Sequence, residues 1–109
     1  MIDWTRVDEL RAEVGEDGFD EVVDLFLEET DEVIARLMET EDAALGRDLH
    51  FLKGSALNLG LQNLALLCQE GERNCSAGNA GLVDRVTLVQ AYHAAKAAFR
   101  EGIKQRRAA

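Results

Sequence analysis

The chain has 109 residues, with 12 Lys and Arg against 21 Asp and Glu, a formal net charge of −9, two Cys and no Pro. Its 47% hydrophobic and 30% charged content fits a soluble, globular single domain and not a disordered segment. The longest apolar run is the five residues Leu64 to Cys68, far short of the roughly 18 a membrane span needs, and the acidity disfavours nucleic acid and anionic membrane surfaces.

Without proline, helices can run through almost the whole chain. Asp3 is a natural N-cap for a helix over 4–14 that Gly15 would end. A second helix is predicted over 19–39. Phe19, Val22, Val23, Phe26, Val33, Ile34, Leu37 and Met38 form its apolar stripe, and Glu21, Asp24, Glu28, Glu29, Asp31, Glu32 and Arg36 its solvated face. Asp42 is placed to cap a third helix that runs to Leu59, with Leu45, Leu49, Leu52, Ala56 and Leu59 as a tight seam and Gly60 as its C-cap. A fourth helix begins near Leu61, with Leu61, Leu64, Cys68 and Cys75 at helical spacing; Ser76 to Gly81 reads as a turn. The last helix is expected over 82–105, with Leu88, Tyr92, Ala95, Phe99 and Ile103 inward. Amphipathic helices with short connections predict an all-α fold, an antiparallel up-and-down four-helix bundle with a short additional N-terminal helix, in one domain over 1–109.

The charge is unevenly placed. Residues 1–44 hold 16 acids and three bases, whereas residues 45–109 hold five acids and nine bases. From Leu49 to Gln69 the only formally charged side chain is Lys53. A stretch so poor in charge is either buried or reserved for a partner.

Around the third helix, 100° per residue places the seam within about 40° of Leu45 and puts His50 near 140°. His50 therefore projects outward, with Lys53 and Gly54 one turn on. A surface histidine is usually nothing more, but three neighbours stand out. Gly54 costs about 1 kcal/mol in a helix interior relative to Ala, so it needs a packing or access reason. Lys53 at i+3 can bring its ammonium to whatever the imidazole carries. Leu57 is a large apolar side chain on an outward face. A solvent-facing neutral imidazole is a competent nucleophile toward phosphorus, and phosphoryl transfer asks mainly for positioning and charge neutralisation.

The segment His50-Phe51-Leu52-Lys53-Gly54-Ser55-Ala56-Leu57-Asn58-Leu59-Gly60-Leu61 closely resembles the signature of histidine-containing phosphotransfer domains, roughly H-x-L-K-G-S-[SA]-x-x-[hydrophobic]-G. Leu64, Cys68 and Glu72 echo the family's downstream pattern. The resemblance implies that His50 is the phosphoacceptor, that Lys53 steadies the phosphoryl group, and that Gly54 leaves room for the partner. At Glu72, where other members place Gln or Glu, two readings stand side by side: an acceptor that orients the imidazole, or a plain helix-surface carboxylate. The chain departs from the family at Gly71, where a large apolar residue is usual. A core side chain is then missing, and the fourth helix is weakened there unless a bulky neighbour fills the gap.

Other chemistries lack their residues. Positions 47 and 90 are Arg and Gln, so neither histidine belongs to a Glu-x-x-His metal motif, and no HExxH, P-loop or GxGxxG occurs. Cys68 and Cys75 form no CxxC pair, His93 has no recognisable context, and Trp4 and Tyr92 are expected to pack. Lys104, Arg106 and Arg107 suit a helix C-terminus. The leading expectation is a phosphorelay carrier, not an enzyme with its own ATP chemistry. It would exchange a phosphoryl group between His50 and receiver-domain aspartates, of response regulators or of a hybrid sensor histidine kinase. It would need no cofactor of its own, Mg²⁺ residing on the receiver. The docking face would comprise Gly54, Leu57, Asn58, Leu61 and Gln62 around the site. The expected setting is a cytoplasmic monomer without nucleic-acid or membrane partners. The alternative is a helical interaction module of the same fold that binds without phosphorylation.

Overall fold

In the structure, a computed structural model that describes residues 2–108, helix α1 spans Trp4–Val14. The Asp3 carboxylate accepts the Arg6 backbone N–H at 3.3 Å, satisfying one of the free donors of the first turn. Gly15, at φ 81°, ends α1 and leads directly into α2, Glu16–Leu37. That helix starts three residues before the predicted Phe19 because the glycine reverses the chain in one step; Glu16 and Asp17 then favour the positive end of the new helix. Met38, expected on the apolar stripe, lies past the end of α2 and is exposed, whereas Leu27 is buried in the core.

Helix α3, Asp42–Leu59, carries the predicted seam: Leu45, Leu49, Leu52, Ala56 and Leu59 are all fully buried. Asp42 is its first residue, not its cap. Glu41 holds the N-cap position, and the Asp42 carboxylate instead takes the Arg85 guanidinium at 2.9 Å. Gly60 caps the far end at φ 75°, and its carbonyl accepts the Asp3 N–H at 2.8 Å. A Cβ on Gly60 would sit 2.5 Å from the Asp3 carbonyl oxygen, so backbone conformation and close approach both require glycine here.

Helix α4 follows as Gln62–Ser76, then a single 3-10 turn at Ala80–Leu82, then α5, Arg85–Ala108. The predicted start of α5 at 82 shifts because Asp84 is the residue that caps it: its carboxylate accepts the Thr87 N–H at 3.0 Å and the Thr87 hydroxyl at 2.7 Å. The all-α bundle expectation is met. Helices α2, α3, α4 and α5 pack in sequence, α5 returns against α2, and α1 covers α2 and α3, giving a body of 46 × 21 × 20 Å. No helix among the described residues is long and apolar enough to cross a membrane.

Polar side chains pin the helices in register. The buried Tyr92 hydroxyl on α5 meets the Thr30 hydroxyl at 2.8 Å and donates to Asp31, which also takes Lys96 at 2.8 Å. Asp48, buried on α3, accepts from Arg36 at 3.0 Å and from the Thr40 hydroxyl at 3.1 Å. Trp4 stacks on Phe99 with ring centroids 6.0 Å apart, filling the place a side chain at Gly102 would occupy. The C-terminal bases do more than complement a helix dipole: Arg106 pairs with Asp8 at 2.7 Å and Arg107 with Asp20, tying the basic end of α5 to the acidic first helices.

Arg85 was not singled out by the sequence. Its guanidinium donates to the Leu37 carbonyl at 2.8 Å, to the Thr40 carbonyl, and to Asp42. One side chain thus closes the carbonyl end of α2 and the start of α3. Arg85→Ala would leave part-buried carbonyls without a donor and should destabilise the fold by about 1–3 kcal/mol in denaturant unfolding. A change below about 0.5 kcal/mol would mean that water replaces it.

Candidate functional site

The site is built on the α3–α4 pair. Because the seam faces the core, His50 points away from it, and its side chain is 74% exposed. Glu72 arrives from α4. Its Oε2 lies 3.0 Å from His50 Nδ1, and its Oε1 lies 2.9 Å from Lys53 Nζ, an ion pair more than an aligned hydrogen bond. Glu72 is thus in contact with the ring, not a carboxylate isolated on the helix surface.

Burial opposes the charge on Glu72, but its contacts with Lys53 and His50 outweigh that and hold the carboxyl below the usual carboxylate range. An ionised carboxylate only accepts, so the nitrogen against it carries the proton. His50 Nδ1–H therefore donates to Glu72, and Nε2 makes no hydrogen bond among the described residues.

Gly54 lies one turn from His50, and a Cβ built on it meets nothing within 4 Å. No internal packing requires glycine there. Asn58 donates to the Gly54 carbonyl at 3.0 Å, and Arg6 of α1 donates to the Asn58 carbonyl at 3.3 Å, which steadies this end of α3. Leu57 is exposed. Leu61 is not: it is 2% exposed, packed in the core beside the Gly60 cap, and its backbone bridges to Ile2. It therefore drops out of the predicted docking face. Leu66, 64% exposed on α4, lines a shallow cleft with Lys53, Leu57, Gln62 and Gln69. The apolar run Leu64 to Cys68 concealed Leu66; 100° steps from the buried Leu64 put it on the opposite side of the helix.

Gly71 is buried, and a Cβ there would meet Leu49 Cδ1 at 2.7 Å and Val83 Cγ1 at 3.7 Å. Leu49 takes the place of the missing Cβ, with Val83 just beyond. Burial, with Glu72 nearby, pushes the Cys68 thiol up to about 12, and burial raises Cys75 too, so both remain neutral packing groups near pH 7. His93 is exposed on α5, edge-on to Tyr92.

The helical bundle thus presents an outward imidazole with an ammonium and a carboxylate beside it, and a cleft whose wall includes that lysine. The family model described as Hpt domain matches residues 21–109, and the chain belongs to that family, whose members carry phosphoryl groups on histidine in two-component phosphorelays. Searches of curated proteins and of solved structures returned no match.

Proposed function

We propose that His50 is the phosphoacceptor and that the protein passes phosphoryl groups between receiver-domain aspartates. The observation that carries this reading is the division of labour on the ring: Nδ1 is engaged by Glu72, while the side chain is 74% exposed and Nε2 makes no hydrogen bond among the described residues. The Nε2 lone pair attacks phosphorus of the aspartyl phosphate, the N–P bond forms as the O–P bond breaks, and the aspartate leaves as a carboxylate. The Nδ1 proton stays in place, so the loaded ring bears a positive charge facing Glu72. Return to a second aspartate reverses these bonds. The receiver supplies Mg²⁺; Lys53 neutralises part of the phosphoryl charge.

The receiver docks over Gly54, with Leu57, Asn58, Gln62 and Leu66 as its contact surface and Gly54 admitting the acceptor carboxylate. A monomer acting in the cytoplasm fits this surface. Incubation with a phosphorylated receiver domain should place an acid-labile, base-stable phosphate on the wild type and none on His50→Gln. Absence of transfer from every receiver tested would favour a binding module that is never phosphorylated.

A further inference from the structure

Glu72 serves two partners at once. One oxygen meets His50 Nδ1 at 3.0 Å and the other meets Lys53 Nζ at 2.9 Å, and among the described residues these two are its only side-chain polar contacts, the lysine alone bringing a full charge to the resting site. The Glu72 and Lys53 side chains are only 21% and 25% exposed, so their attraction is less screened than that of a fully solvated pair. In the empty site, then, the ammonium that would neutralise a phosphoryl group is already committed to a carboxylate.

We propose that Glu72 is a positioning residue that acts through Lys53: it holds the ammonium in the empty site and releases it to the phosphoryl group during loading. The inference rests on His50 as acceptor. A phosphoryl dianion on Nε2 carries twice the charge of one carboxylate and so draws the ammonium away. Glu72 is not left without a counter-charge, because the loaded ring gains a positive charge on the side that faces it. Lysine and imidazolium exchange places as its partner. Breaking the Lys53–Glu72 pair is therefore part of the barrier to loading.

Phosphoramidate tests this without a receiver. Nε2 forms the new bond to phosphorus, the donor's P–N bond breaks, and ammonia departs with the donor's own protons. Loading rates are compared for the intact chain as wild type, Glu72→Gln, Lys53→Ala and the double variant. Glutamine keeps an acceptor for Nδ1–H and removes the charge that holds Lys53. The ratio of the Glu72→Gln rate to its parent should be at least about threefold higher when Lys53 is present than in the Lys53→Ala background. Loading of the wild type should also shift the Lys53 Nζ resonance in nitrogen NMR. Equal ratios in the two backgrounds, or a coupling of opposite sign, would overturn the inference while His50 labelling persisted. A wild type that takes no phosphoryl group from phosphoramidate or from any receiver would instead remove the acceptor reading, and this inference with it.

Discussion

Gly54→Leu should give a more stable protein that transfers phosphoryl groups about 100-fold more slowly. The two effects have separate origins. Inside the chain, a Cβ at position 54 meets nothing within 4 Å, so a side chain leaves the helix there into open space. The helix loses a residue that costs about 0.5–1 kcal/mol relative to a good helix former, and thermal melting should rise by several degrees. Outside the chain, the new side chain stands one turn from His50, on the face we propose the receiver approaches. In-line transfer tolerates little misplacement, and a shift of about 1 Å can cost about 100-fold. Phosphoramidate is small enough to reach Nε2 regardless, so labelling by it should change far less than transfer from a receiver. Undiminished receiver transfer would show that the partner does not pass over Gly54.

The second large effect concerns the α3–α4 contact beneath the site. Leu49 is fully buried and occupies the space above Gly71. Leu49→Ala should cost about 2–5 kcal/mol through lost burial and the cavity left behind. Gly71→Ala should cost about 1–2 kcal/mol, because the pressure of its Cβ, 2.7 Å from Leu49 Cδ1 in a packed interior, outweighs the roughly 1 kcal/mol that alanine gains over glycine inside a helix. Combined, the substitutions relieve one another: the added methyl enters the space the leucine vacates. The double variant should be less destabilised than the sum of the singles by about 1 kcal/mol or more in denaturant unfolding. Simple additivity would mean that Leu49 and Gly71 do not share that volume.

These two glycines show what the sequence disclosed and what it withheld. Gly54 was interpretable because helical periodicity alone places it outward, beside His50 and Lys53. The seam on α3, the Gly60 cap and the burial of Tyr92 and Phe99 follow from the same period of 3.6. Gly71 was misleading because its partner is Leu49, 22 positions away, and local spacing carries no record of what fills a space from across the bundle. Leu61 failed as a surface residue for a related reason: the chain's own N-terminal segment, at Ile2 and Asp3, covers it. Arg85 and Asp48 gave no local signal either, since their partners lie on other helices. Glu72 stood between. Its position was legible from the resemblance, but the contact with Lys53 required the crossing of α3 and α4.

The three groups that touch one another at the histidine come from a single helical hairpin. His50 and Lys53 stand on α3 and Glu72 on α4, with Gly60 and Leu61 at the bend. The remaining helices buttress that hairpin, and they also carry most of the acidic surface. Mutational drift on α1, α2 and α5 can thus alter the electrostatic field a partner meets on approach without moving a reacting atom. Encounter rate and bond chemistry become separately adjustable traits within one short polypeptide.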